Sequence, residues 1–206
     1  MSEVMRSMEA TTPQMAAAAD RVRQTPPSGW WAVLLFVAGE TTFFGLMIGS
    51  YFYLRFQQVR WPPPGVDKPE VALPLILTAI LVSTTLPLIA AVRAGRAGRV
   101  KAALGLVMLA LVIQGGYFGV QVHEFLGDLD KVSPKATSYG SIYITLLGAH
   151  HLHVAAGILL ELWLAAKLLA GLTTYRLNGL RAIALYWYFV NAVGIAVVFT
   201  EIYPSL

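Results

Sequence analysis

Cysteine is absent from this chain of 206 residues, and charged side chains make up only 13% of it. Without cysteine the chain forms neither disulfides nor thiolate metal sites. The scarcity of charge, combined with 57% hydrophobic residues, excludes an ordinary soluble domain and indicates an integral membrane protein. The net charge of +4 comes from a basic excess that the topology below assigns to one side of a membrane, so it does not indicate nucleic-acid binding.

The apolar residues are grouped in five runs, each long enough to cross a bilayer, which takes roughly 20 residues. The runs cover about 29–56, 71–92, 102–125, 139–163 and 183–203. We therefore predict an all-α integral membrane protein, with a bundle of five transmembrane helices at residues 29–206 and a polar N-terminal tail at residues 1–28. Pro87 is expected to kink or stop the second helix. The glycine pairs Gly45/Gly49 and Gly115/Gly119 predict close packing between helices.

The basic residues are divided unevenly between the two sides that alternating helices define. Ten Lys and Arg residues fall on the side of the tail, and five fall on the other side, namely Arg55, Arg60, Lys68, Lys131 and Lys135. Because basic residues accumulate on the cytoplasmic side, the tail is predicted to be cytoplasmic and the C-terminus to lie outside.

Polar side chains lie near the middle of three predicted helices. Glu40 is about eleven residues, or about 16 Å, into the first helix, and the hydrocarbon core is about 30 Å thick. His150 and Asn191 lie at similar depth, and His153 follows His150 by about one turn. Such groups are costly in lipid, so the three helices are expected to converge there. We predict that Glu40 is neutral or tightly hydrogen-bonded to the histidine helix.

Three interpretations of this layer stay open from the residues alone. Glu40, His150 and His153, with Glu161, have the donor types of an iron, manganese or zinc site. The same groups could form a proton relay or a transporter site. In the third interpretation they hydrogen-bond one another and hold the bundle, or a lipid headgroup, in a fixed geometry.

Five short motifs then occur in a definite order. They are Glu40-Thr-Thr-Phe-Phe-Gly45, Gln121-Val-His-Glu124-Phe125, Tyr139-Gly140-Ser141, His150-x-Leu152-His153-Val154 with Gly157, and Tyr186-Trp187 with Phe189-Val190. In this order and spacing the chain resembles subunit III of the haem-copper cytochrome c oxidases, in the short five-helix bacterial form. The resemblance covers almost the whole chain from Trp30.

The resemblance implies roles for particular residues. Glu40, His150, His153 and Asn191 would be lipid-binding or buried structural polar groups, and Gln121, Glu124 and Trp187 would be candidates for an interface. It implies no catalytic residue and no metal site in this chain, with haem and copper held by partner subunits and phospholipid bound at the surface. Four positions depart from the family pattern: Tyr188 and Asn191 replace a His and an Asp, Gly194 replaces a Trp, and Gly39 stands where a Ser often precedes the Glu of the first helix.

The function implied is that of a non-catalytic subunit in the cytoplasmic membrane of a bacterium. It would stabilise the catalytic subunit, order lipids and support proton uptake during oxygen reduction, in contact with subunits I and II and phospholipids and compatible with a larger respiratory supercomplex. The alternatives are a subunit-III-like partner of a quinol oxidase or nitric oxide reductase, a free-standing membrane transporter, and a membrane metal enzyme.

Overall fold

The fold is a bundle of long α-helices. A computed structural model describes residues 28–171 and 173–203. The helices in chain order are α1 (Ser28–Phe56), α2 (Ala72–Ser83), α3 (Thr85–Arg96), α4 (Val100–Lys131), α5 (Ser138–Leu169) and α6 (Thr174–Ile202). Since α2 and α3 form one span, the described residues contain five helices long and apolar enough to cross a membrane. The predicted all-α bundle of five spans is confirmed. Residues 1–27 of the predicted tail lie outside the described residues.

The helices extend beyond the apolar runs because a run marks only the part that crosses the hydrocarbon. The last helix begins well before the apolar run predicted at 183–203, since Arg176 and Arg181 already belong to α6. Thr173 caps this helix, and its hydroxyl oxygen accepts a hydrogen bond of 3.2 Å from the Arg176 N–H. Thr137 caps α5 in the same way, accepting from the Gly140 N–H at 3.0 Å. Both caps satisfy an N–H that lacks a partner in the first turn.

The second span is interrupted at Thr84, three residues before Pro87. Pro87 has no N–H to offer the carbonyl four residues earlier, and its ring crowds that carbonyl, which belongs to Ser83. The Thr84 hydroxyl donates to the Leu81 carbonyl at 2.6 Å, which supplies a local bond at the break. The proline therefore interrupts the helix one turn before its own position, and the span continues to Arg96.

The last helix lies at the centre of the bundle. It contacts α1, α2, α3 and α5, whereas α1 packs mainly against α5 and α6. In α6, 61% of the residues in the membrane window are buried, compared with 11% in α1. The α1 helix is therefore peripheral, and most of its surface faces away from the bundle.

The glycines that allow close helix contact differ from the predicted pairs. A Cβ atom added at Gly45 or Gly119 would meet nothing within 4 Å. At Gly157, by contrast, it would lie 2.8 Å from the Trp187 ring, so this glycine accommodates the indole of α6. The predicted packing role of the two glycine pairs is thus wrong within this chain, because both pairs lie on outward faces.

Candidate functional site

The mid-depth polar layer contains one contact between α1 and α5. Glu40 Oε2 lies 3.0 Å from His153 Nε2, and the two side chains remain 25% and 17% exposed. Phe44 packs edge-on against the imidazole with ring centroids 5.0 Å apart. The Tyr186 hydroxyl donates to the His153 carbonyl at 2.8 Å, which brings α6 to the same place.

The second ring nitrogen of His153 determines how protons are distributed in this pair. His153 Nδ1 lies 2.8 Å from the Ala149 carbonyl oxygen, which can only accept, so Nδ1 carries a proton. A bond between Nε2 and Glu40 then needs one more proton, located either on the carboxyl or on the ring. In both arrangements the pair has no net charge. An uncharged pair suits its position at membrane depth, where an isolated charge is costly.

His150 does not join this pair. Its ring is only 2% exposed and lies against α6, where a Cβ added at Gly194 would be 3.1 Å from the imidazole. Two residues three apart on a helix differ in direction by about 60°, which is enough for His150 to face α6 while His153 faces α1. The expected trio is therefore a pair plus a separate histidine. Gly194, a departure from the family pattern, leaves the room that the ring occupies.

Asn191 also forms its hydrogen bond outside the predicted layer of Glu40 and the histidines. It is 4% exposed, and its amide donates to the Thr85 hydroxyl at 2.9 Å. Thr85 is the first residue of α3, immediately after the interruption at Thr84. Asn191 therefore connects the central helix to the broken span and does not contact Glu40 or His153 through any hydrogen bond described here.

A further buried polar group lies deeper along α5. Glu161 is completely buried, as are Gln114 of α4 and Trp187 of α6. These two side chains interact with the Glu161 carboxyl, although no contact has the geometry of a standard hydrogen bond. Trp187, a predicted interface candidate, has no exposed surface and packs on Gly157. Its position makes it part of the bundle interior and not of a surface that a partner could touch.

The other two interface candidates lie on α4, which packs against α5. Gln121 is 8% exposed and donates to the Tyr117 hydroxyl at 3.1 Å, so it too is interior. Glu124 is half-buried and lines a cavity with Gln121. Of the three candidates, only Glu124 therefore keeps substantial surface in this chain.

The metal interpretation has no geometric support. Within residues 28–171 and 173–203, no three His, Asp or Glu side chains come together in a way that could hold an ion. The proposed ligands are dispersed: Glu40 and His153 pair with each other, His150 faces Gly194, and Glu161 faces Gln114 and Trp187.

Two buried residues were not selected from the sequence. His151, which is 6% exposed, packs beside Phe125 with ring centroids 5.3 Å apart. Glu201, also 6% exposed, lies in the last turn of α6. Glu201 falls at the end of the last apolar run, where a carboxylate normally reaches water, so only its packing distinguishes it. The sequence shows that His151 lies inside an apolar run, but it does not indicate which residues pack against it.

Comparison with known proteins identifies the family. The family model described as cytochrome c oxidase subunit III matches residues 24–204. The chain belongs to this family. The resemblance inferred from the ordered motifs is therefore confirmed.

The chain is similar to proteins named cytochrome c oxidase subunit 3 and to proteins named quinol oxidase subunit 3. The cytochrome c oxidase subunit 3 of Bacillus subtilis is 28% identical over 184 residues, which cover 85% of this chain and 84% of that protein. The quinol oxidase subunit 3 of the same organism is 27% identical over 180 residues, with 85% and 84% covered. The cytochrome c oxidase subunit 3 of Thermostichus vulcanus is 26% identical over 191 residues, covering 91% and 92%. The multi-pass helical architecture agrees with this family.

Proposed function

We propose that this chain is the non-catalytic subunit III of a respiratory haem-copper oxidase that takes electrons from cytochrome c. The family match over residues 24–204 carries this proposal. The chemistry of oxygen reduction then belongs to haem and copper in subunits I and II, which are the partners of this chain. The protein resides in the bacterial cytoplasmic membrane, with the N-terminus in the cytoplasm and the C-terminus outside.

The buried polar contacts support a structural role. Two of them connect different helices of this chain: Glu40 with His153 joins α1 to α5, and Asn191 with Thr85 joins α6 to α3. Interhelical hydrogen bonds in membranes contribute about 0.6 kcal/mol on average, so a few of them favour one arrangement of helices without dominating its stability. A bundle fixed in this way presents a defined surface to the catalytic subunit.

The exposed flank of α1 supports the proposed ordering of lipids. The Glu40–His153 pair keeps part of its surface open, and the neighbouring Gly45 and Gly49 have open space around them. An uncharged hydrogen-bonding pair beside small residues can accept a bond from an N–H or O–H of a lipid headgroup without a large desolvation cost. Ordered lipid at this flank, beside the catalytic subunit, is the proposed route by which the chain supports proton uptake.

A quinol oxidase is the second candidate. It is favoured by one observation, the 27% identity to a quinol oxidase subunit 3 over nearly the same part of the chain. That value differs by one point from the 28% identity to the cytochrome c oxidase subunit of the same organism. The two candidates differ in electron donor and not in the role of this chain.

The proposal is tested by purifying the tagged chain from its native membrane in mild detergent. We expect a haem-bearing subunit to co-purify, visible in the reduced-minus-oxidised spectrum, and oxygen consumption to depend on reduced cytochrome c. Oxygen consumption with a quinol and none with cytochrome c would support the second candidate. A chain that co-purifies with no haem protein and transports a solute by itself in liposomes would contradict both.

A further inference from the structure

A polar cavity opens at the end of the bundle that contains the C-terminus of α6. We call it the vestibule; it is lined by residues 65–70 of the loop after α1 and by the adjoining parts of α2, α4, α5 and α6. Its volume is about 270 Å³. A site of about 10–15 Å³ holds one water molecule, so this volume has room for a small organic group together with water.

Acidic side chains predominate around the wall of the vestibule. Five carboxylic residues from three segments line it, against two lysines: Asp67, Glu70, Glu124, Asp128 and Glu201, and Lys68 and Lys131. The Tyr143 hydroxyl donates to Asp128 Oδ2 at 2.8 Å and holds that carboxylate in place. The acids are spread along the wall and do not gather around one point within the described residues. Such a distribution suits a cationic group that donates hydrogen bonds to several carboxyl groups and is attracted by the exposed Asp67 and Glu70 at the mouth of the cavity.

His151 lines the inner part of this cavity, about thirteen residues, or about 20 Å, along α5 from its first residue. It is 6% exposed, and neither ring nitrogen makes a hydrogen bond of standard geometry to the described residues. The ring does interact with the Leu147 carbonyl, which can only accept. In the neutral ring, the nitrogen nearer that carbonyl therefore carries the proton. The other nitrogen is then an acceptor without a donor.

Aromatic rings complete the wall. Phe125, Tyr139 and Tyr143 all line the vestibule. Ring faces attract ammonium and other cations, most strongly where water is excluded. The vestibule thus combines an imidazole acceptor without a donor, an excess of acidic side chains and several aromatic rings. These features are complementary to a group that carries a positive charge and N–H donors.

We propose that the vestibule binds an organic ammonium group, which donates a hydrogen bond to His151 and is surrounded by the carboxylates of α4 and α6. Two sources have this chemistry, the ethanolamine headgroup of a phospholipid and a soluble amine. The site is separate from the Glu40–His153 pair, since residues 151 and 153 point about 200° apart around α5. It does not depend on the electron donor or on the partner subunits of the proposed function.

The test uses the full chain in nanodiscs with two lipid compositions. In nanodiscs of mixed phosphatidylethanolamine and phosphatidylglycerol, native mass spectrometry counts the ethanolamine lipid retained by each chain. In nanodiscs of phosphatidylglycerol alone, ethanolamine is titrated while the nitrogen resonances of labelled histidine are followed. Retention of one lipid identifies the headgroup as the source, whereas a shift of the His151 resonance at low millimolar ethanolamine without lipid retention identifies a soluble amine.

The variant His151→Phe keeps the ring and removes the acceptor, and it should weaken binding about tenfold. The matched control is His123→Phe, since His123 is an exposed histidine on α4 outside the vestibule. This control should bind as the wild type does. Should His151→Phe fail to fold, Asp128→Asn, which keeps the acceptor for Tyr143, should also weaken binding. Neither lipid retention nor a resonance shift in the wild type, or equal binding by both His151 and Asp128 variants, would overturn the proposal.

Discussion

The contact between Glu40 and His153 allows the sharpest test of the structural role. Glu40→Ala removes the partner of His153 Nε2, which lies 3.0 Å from the carboxyl. Leaving a buried acceptor without a partner costs about 1–3 kcal/mol, and a single interhelical bond in a membrane has at most about 1.7 kcal/mol of coupling. Since the His153 side chain is still 17% exposed, we expect the lower part of this range. The free energy of unfolding should fall by about 1 kcal/mol.

Glu40→Gln is the matched variant. A glutamine N–H can donate to His153 Nε2 while Nδ1 keeps its bond to the Ala149 carbonyl, so the contact survives without the carboxyl proton. We expect a loss below about 0.5 kcal/mol, full assembly with the haem-bearing partner and near-normal oxygen consumption.

The assay combines unfolding with turnover. Unfolding of the purified chain by SDS in mixed micelles, followed by tryptophan fluorescence, should be measured for Glu40→Ala, His153→Ala and the double variant. The coupling energy from this cycle should be about 0.6–1.7 kcal/mol. A coupling near zero would contradict the contact. If Glu40→Gln assembles fully yet abolishes oxygen consumption, the carboxyl proton itself takes part in function and the structural interpretation is wrong.

Three further predictions concern packing, metal content and topology. Gly157→Ala places a Cβ atom 2.8 Å from the Trp187 ring and should destabilise the chain by about 1–3 kcal/mol in the same SDS assay, whereas Gly45→Ala, which has open space, should not destabilise it. Elemental analysis of the purified chain should find no stoichiometric iron or zinc; one ion per chain that disappears in His150→Ala would contradict this. A reporter that works only in the cytoplasm should be inactive when fused to Leu206, because the division of basic residues predicts that the C-terminus lies outside; strong activity would contradict this topology.

The number and type of the membrane spans could be predicted because each depends on a local property, the length of an apolar run. The position of the break in the second span could not. Pro87 marks the position of the missing N–H, but the interruption occurs at Thr84, next to the crowded carbonyl of Ser83. The first turns of α6 were missed because Thr173 and the polar residues after it form a capped helix end with little apolar character.

In the candidate site, too, properties of a single helix could be predicted from the sequence, whereas contacts between helices could not. The depth of Glu40 and His153 followed from counting residues along a helix, and their contact is present. The helical face of His150 was also predictable, but its partner was not, because a difference of about 60° between neighbouring turns decides which helix it meets. Gly157 belongs to one of the ordered motifs and Gly194 departs from the family pattern, but neither observation indicates which side chain packs against the glycine. Only the packed helices reveal that one accommodates an imidazole and the other an indole.

The central position of α6 has a consequence for how the protein is made. The α1 helix packs mainly against α5 and α6, and its polar contact joins residues separated by 113 positions. During synthesis α1 therefore stays in the bilayer without its native neighbours until the ribosome has delivered the two helices at the other end of the described chain. The α1 helix therefore joins the bundle late, and a ribosome that stalls before residue 174 leaves it without the central helix against which it packs.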